Sequence, residues 1–249
     1  MRKYGLIGYP LGHSFSKSYF TKKFREENIS GCSYDNYPLS EIDLLPELIA
    51  REPDLCGLNV TIPYKSDVLE FLDYIDDEAG EIGAVNVVKI RRGEGEVYLS
   101  GFNSDVTGIR DSLAGCLGSV STAVILGTGG SSRAVRYVLE KAGLMIIQVS
   151  RTKRPGFIDY SELNAGLLAK AGLIVNTTPV GMYPHAGARP EIDYSCLGPG
   201  HVLFDLVYNP EVTFFLNSGL ERGCRIVTGL GMLHSQAERA WEIWNDASC

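Results

Sequence analysis

The stretch TAVILGTGGSSRAVRYVLEKAGLMIIQVSRTKR, Thr122 to Arg154, constrains the fold of this chain more than any other. Thr122 to Leu126 is a short apolar run that ends at a glycine, as a buried strand does. Ala134, Val135, Val138, Leu139 and Ala142 then fall on one helical face, Gly143 suits the helix end, and Met145 to Val149 makes the next strand. Strand, helix and strand in this order make a βαβ unit, which demands two parallel strands joined by a crossover.

The turn inside that unit has chemistry of its own. Gly127, Gly129, Gly130, Ser131 and Ser132 link the first strand to the helix. Backbone N–H groups of such a turn can approach a pyrophosphate at the positive end of the helix. A glycine turn also serves tight packing alone, so the surrounding unit decides its meaning. Sites for NAD place Asp or Glu at the end of the second strand, whereas a 2′-phosphate requires a cation there. This chain has SRTKR, in which Arg151 offers a planar guanidinium and Lys153 or Arg154 adds charge. The expected cofactor is NADP.

Strand-like and helix-like segments alternate almost from end to end, which predicts an α/β protein with mainly parallel sheets. KYGLIG, SYDNYPL and CGLNVTI read as strands, SKSYFTKKFREEN and SEIDLLPELIARE as helices, and a further helix is expected near Lys65 to Leu72. AVNVVKI and EVYLSGF flank RRGEGE as a hairpin would. Beyond DVTGIRDSLAG, a helix, and the βαβ unit, strands are expected at LIVNTT, HVLFDLVY and CRIVTG. In the last helix, MLHSQAERAWEIW, Leu233, Ala237, Ala240, Trp241 and Trp244 share one face. Two domains follow: residues 1–102 with 231–249, an N-terminal α/β domain to which the C-terminal helix returns, and residues 103–230, a Rossmann-type domain.

Charge and cysteines narrow the function classes. With 23 basic and 30 acidic side chains the net charge is −7, and no basic run is longer than that in SRTKR, so nucleic acid and membrane surfaces are not expected partners. The six cysteines are scattered without a CxxC pair or zinc-like spacing, so no metal is expected and reduced thiols fit best. No segment approaches the twenty or so apolar residues that span a bilayer, and the apolar run in MRKYGLIGYPLGHS is too short for a signal peptide. The expected setting is cytoplasmic, with a small-molecule substrate and a monomer or homodimer.

A lysine in GLNVTIPYKSD, Lys65, follows a strand-like run that Pro63 interrupts. Asn59 and Thr61 precede it, GHSFS adds Ser14 and Ser16, GAVN adds Asn86, and GFNSD puts Asp105 at a helix start. Singly these are turn, cap and strand-end residues. Together they gather short polar groups at the ends of predicted parallel strands, where ligands of open α/β sheets collect.

The ordered set GHSFS, GLNVTIPYK, GAVN, GFNSD, GTGGSS, SRT, NTTPVGM, VYNP and GLGMLHSQAERAW resembles shikimate dehydrogenases along nearly the whole chain. The resemblance implies NADPH-dependent reduction of 3-dehydroshikimate to shikimate. It makes Lys65 and Asp105 the catalytic pair and gives the substrate to Ser14, Ser16, Thr61, Asn86 and Gln236, with Asn59 and Tyr208 nearby. Gly127, Gly129, Gly130, Ser131 and Ser132 would hold the pyrophosphate, and Ser150, Arg151, Thr152 and Arg154 the adenosine phosphate. Leu206, Gly229 and Met232 would lie against the nicotinamide, and Asp77 corresponds to a weaker cofactor-side position. The chain departs from the family pattern at Lys17, where proline is common, at Ser132, where a smaller residue is usual, and at Val87 and Ser104, where threonine is usual. The rival readings are a relative that accepts quinate or NAD, and a non-catalytic NADP-binding regulator on the same scaffold.

Overall fold

The computed structural model describes residues 1–11, 15–93 and 95–246. Ser14 lies outside the described residues. The elements run β1 (Arg2–Gly8), α1 (Phe15–Glu26), β2 (Cys32–Pro38), α2 (Leu45–Arg51), β3 (Leu55–Val60), β4 (Tyr74–Ile75), α3 (Asp77–Ile82), β5 (Val87–Gly93) and β6 (Glu96–Phe102). They continue as α4 (Asp105–Leu113), β7 (Thr122–Leu126), α5 (Gly130–Lys141), β8 (Met145–Ser150), β9 (Ile158–Asp159), α6 (Ala165–Lys170), β10 (Leu173–Asn176), β11 (Val202–Asp205), α7 (Phe214–Leu220), β12 (Arg225–Val227) and α8 (Gly229–Asn245). The chain divides into two compact units, Met1–Ser104 with Ala237–Cys249, and Asp105–Gln236.

The first unit holds a sheet in the order β2-β1-β3-β5-β6-β4. β1 runs parallel to β2 and β3, whereas β5 is antiparallel to β3 and β6. All but the first two residues of β1 and all but one residue of β3 are buried, the pattern of strands covered on both faces. One covering layer contains Ile7, Leu45, Leu48, Leu55, Leu58 and Val88. The other is aromatic and joins Tyr4, Phe20, Phe24 and Tyr34 to Ala237, Ala240, Ile243 and Trp244 of α8. Trp244 also donates from Nε1 to the Val88 carbonyl at 3.1 Å, which ties the end of α8 to β5.

The second unit is an all-parallel sheet ordered β12-β11-β10-β7-β8-β9. From β7 the chain passes to β8 on one side and returns to β10 on the other, so the strand order reverses between β7 and β10. In an open α/β sheet this reversal, at the carboxyl ends of the strands, is where ligands bind. Every residue of β7, β10 and β11 is buried.

Several local expectations change. The stretch near Lys65 to Leu72 is turns and a 3-10 helix at Asp67–Phe71, not an α-helix, because Leu72 already turns extended to lead into β4. Ala142 is the exposed C-cap of α5 rather than part of its buried face, and Gly143 follows with φ +82°. β4, α3, β9, α6 and α7 are unforeseen; each is too short to show a clear period.

Candidate active site

In the first unit, four side chains distant in sequence form one hydrogen-bonded row. Asn59 is near the end of β3, Asn86 directly precedes β5, Ser104 follows β6 and Tyr34 is central in β2. The Tyr34 hydroxyl donates to Asn59 Oδ1 at 2.7 Å, and half-buried Ser16, which opens α1, stands beside the phenol. Asn59 Nδ2 reaches the Asn86 carbonyl at 3.3 Å. Asn86 Oδ1 accepts from the Ser104 N–H at 2.7 Å, and Asn86 Nδ2 donates to Ser104 Oγ at 3.1 Å. Asn59, Asn86 and Ser104 are buried, so these bonds satisfy groups that would otherwise be costly to bury.

Thr61 and Lys65 continue from β3. The Thr61 N–H bonds the Ile7 carbonyl at 2.9 Å, and the Lys65 carbonyl accepts from the Val85 N–H at 2.7 Å, so the lysine backbone is pinned beside the segment that carries Asn86. Both side chains are half-buried. Lys17 bridges to Asp35 at 2.8 Å between two half-exposed side chains, so its charge is locally compensated. Val87 is fully buried in the aromatic layer, where a hydroxyl would need a partner. Asp77 is exposed in the first turn of α3, whose N-cap Asp76 accepts from the Glu78 N–H at 3.1 Å.

The second unit builds its turn from main chain. Gly127 follows β7 with φ +119°, and a Cβ there would meet Thr177 Oγ1 at 2.4 Å, so both conformation and space require glycine. Gly129 caps α5, and a Cβ there would meet nothing within 4 Å. Gly130 and Ser131 start the helix. Ser132 is fully buried; its Oγ donates to the Gly129 carbonyl at 2.6 Å and accepts from Gln148 Nε2 at 3.3 Å. Gln148, buried on β8, donates to the Gly127 carbonyl at 2.9 Å as well. The bulkier third residue of the glycine motif therefore has partners of its own.

At the end of β8, Ser150 is buried and its Oγ accepts from the Thr152 N–H at 3.3 Å. Arg151, Thr152 and Arg154 are exposed, with the Arg154 guanidinium 5.7 Å from the Phe157 ring centroid. No carboxylate stands at the Arg151 position.

A buried acid organises the end of β11. Asp205 is fully buried, and that burial pushes its carboxyl up from 3.8 to about 6. It accepts from Asn176 Nδ2 at 3.0 Å, from the Val207 N–H at 3.0 Å and from Thr213 Oγ1 at 2.6 Å. Leu206 and Tyr208 stand in the loop so held, both half-buried, and burial raises the Tyr208 phenol above its ordinary range. Gly229 packs against this loop: a Cβ would lie 2.6 Å from the Leu206 carbonyl oxygen. Met232 is buried one turn into α8, and buried Gln236 donates to the Leu233 carbonyl at 3.1 Å. Asp105 is buried in the first turn of α4, where the helix dipole favours a carboxylate.

The structure thus brings Ser16, Asn59 and Asn86 together in one unit, and the glycine turn, the basic end of β8, Leu206, Gly229 and Met232 within the other. Sequence reasoning missed Tyr34, Gln148, Asn176 and Asp205. Asn176 lies within the quoted NTTPVGM, but nothing in spacing marks the other three. The residues fit a dinucleotide phosphate: a Cβ on Gly129, at the α5 N-terminus, would meet nothing within 4 Å, and exposed Arg151 and Arg154 follow the adjoining strand. Among the described residues, no group of three or more His, Cys, Asp or Glu is placed to hold a metal, and no helix is long and apolar enough to cross a membrane.

Residues 6–88 match the family model of the shikimate dehydrogenase substrate binding domain. A shikimate dehydrogenase (NADP(+)) of Methanococcus aeolicus is 34% identical over 96% of this chain and 90% of its own. Among solved structures, shikimate dehydrogenase 1 of Peptoclostridium difficile superposes with a TM-score of 0.84 at 36% identity, covering 100% of this chain and 94% of that one. Shikimate 5-dehydrogenase of Thermus thermophilus, solved in complex with NADP(H) and shikimate, gives 0.85 at 30% identity, over 98% of this chain and 94% of that one.

Proposed function

The chain belongs to the shikimate dehydrogenase family, and we propose that it reduces 3-dehydroshikimate reversibly to shikimate with NADPH, a step toward chorismate and the aromatic amino acids. The match along nearly the whole chain to enzymes of that name carries this reading. The local geometry supports its parts: a row of neutral donors and acceptors suited to a polyhydroxylated ring, and a phosphate turn beside a strand that ends in arginines.

Bound NADPH supplies the hydride that adds to the ketone carbon. The charge that develops on oxygen must be met by a proton, and a positioned acid is worth about 10²–10⁴ in rate. Lys65 delivers that proton, and Asp105 accepts a hydrogen bond from a neighbouring substrate hydroxyl. Ser14, Ser16, Asn59, Thr61, Asn86, Tyr208 and Gln236 bind the hydroxyls and carboxylate of the ring. Gly127, Gly129, Gly130, Ser131 and Ser132 would hold the pyrophosphate, and Ser150, Arg151, Thr152 and Arg154 the adenosine phosphate. Leu206, Gly229 and Met232 would line the nicotinamide, with Asp77 at the cofactor's edge. The scattered cysteines and acidic balance suit a cytoplasmic enzyme of small molecules.

The test is the near-ultraviolet absorbance of reduced nicotinamide when purified protein meets shikimate and NADP⁺, run beside NAD⁺ and beside quinate. Reduction of NADP⁺ with shikimate, and far less with either replacement, is the expected result. Folded protein that binds NADP⁺ yet reduces nothing would favour a regulator; equal rates with quinate would widen the substrate.

A further inference from the structure

We infer that Tyr34 is a positioning residue for the substrate, holding Asn59 in the orientation in which it meets it. This rests on the reading that Asn59 touches the substrate. Tyr34 itself is buried at 3% exposure. Its ring stacks on Phe20 with centroids 4.7 Å apart and planes 14° from parallel, and lies 6.3 Å from the Trp244 ring. The hydroxyl therefore has one location. Burial also holds the phenol well above its ordinary range, so it keeps its proton at every working pH.

The direction of the hydrogen bonds follows from a single main-chain group. The Asn86 carbonyl can only accept, so the Asn59 amide must turn Nδ2 toward it at 3.3 Å. That leaves Oδ1 facing Tyr34, which must donate its only proton to it at 2.7 Å. The second Nδ2 proton of Asn59 is thereby presented in a fixed direction. Without the phenol oxygen, Asn59 Oδ1 would lose its partner. Ordering this amide on folding, rather than on binding, is what preorganises a site.

Tyr34→Phe removes only the oxygen and leaves the stacked ring. In the shikimate oxidation assay the KM for shikimate should rise about tenfold while kcat changes little, the pattern of lost uniform binding. The KM for NADP⁺ should stay within about twofold, since a purely structural loss would move both. Asn59→Ala should raise the shikimate KM at least as much, and the double variant should add little to Asn59→Ala, because Tyr34 acts through Asn59. A folded Tyr34→Phe enzyme with an unchanged shikimate KM overturns the inference, as does a double variant whose effect is the product of the two. Should Tyr34→Phe fail to fold, Asn59→Ala decides alone, and an unchanged KM overturns the inference. Wild-type protein that oxidises no shikimate would instead overturn the functional reading beneath it.

Discussion

The two units build their candidate binding groups from different materials. In the first, side chains supply the donors and acceptors: Tyr34 bonds Asn59, Asn59 reaches the Asn86 carbonyl, and the Asn86 side chain bonds Ser104, a neutral row that runs from β2 by way of β3 to the segments beside β5 and β6. In the second, main chain does most of the work at the glycine turn, which Gln148 braces from β8, while Asp205 holds the loop after β11. A ring with several hydroxyls needs donors and acceptors at specific places, which only side chains of chosen length supply. A phosphate needs many N–H groups close together, which a turn supplies without side chains.

Deleting the side chain proposed to deliver the proton, Lys65 of the first unit, tests that contrast most severely. Lys65→Ala should lower kcat about 10²–10⁴-fold while direct titration shows NADP⁺ still bound. Turnover within a few-fold of wild type would return Lys65 to an ordinary surface role.

The next effect separates a neutral relay from a charged brace. The Asp205 carboxyl is raised from 3.8 to about 6 in the folded state, so folding binds its proton more tightly than the unfolded chain does. Its stabilising contribution is full below 3.8 and is lost as pH rises through about 6, a change of about 3 kcal/mol from a shift of roughly two units. Asp205→Asn removes that dependence. Relative to wild type, the variant should gain about 3 kcal/mol in urea unfolding between about pH 4 and about pH 7.5. A difference independent of pH would mean that the carboxyl ionises freely where it stands.

A somewhat smaller effect is expected from the cation at the strand end. Arg151→Ala should reduce the preference for NADP⁺ over NAD⁺ in kcat/KM by about tenfold to a hundredfold, the worth of a charge-assisted bond. An unchanged ratio would move the phosphate contact elsewhere. The mildest change is Gln148→Leu, which withdraws a donor from the Gly127 carbonyl and from Ser132. NADP⁺ affinity by calorimetry should weaken about fivefold, with the shikimate KM unaffected. Equal weakening of both ligands would show that the brace supports more than the turn.

Much of this was legible in the sequence because it is local. The apolar run of β7, the glycines and the face of α5 lie within twenty consecutive residues, Thr122 to Lys141, so periodicity and turn chemistry reveal them directly. The long helix α8 showed most of its buried face for the same reason: Ala237, Ala240 and Trp244 are buried with Trp241 packed beside them, whereas Leu233 is half-buried and buried Ile243 was unforeseen. The segment after Lys65 misled, since the extended backbone at Leu72 ended the helix after one short 3-10 turn. Tyr34 in SYDNYPL looks like any aromatic strand residue, and Gln148 like any polar residue near a strand end.

By itself the sequence determined the alternation of strands and helices, the glycine turn, the cation in place of a carboxylate after β8, and which polar groups the chain carries at its strand ends. Only the tertiary structure decided which of those groups hold one another. Tyr34 and Asn59 are separated by 25 positions, and Asn176 and Asp205 by 29. Such pairs meet because parallel pairing puts Tyr34 and Gly57, two residues before Asn59, opposite Tyr4, and sets Asn176 opposite Asp205. A hydrogen bond tolerates an error of a few tenths of an ångström, and that precision comes from strand register and core packing rather than from any local pattern.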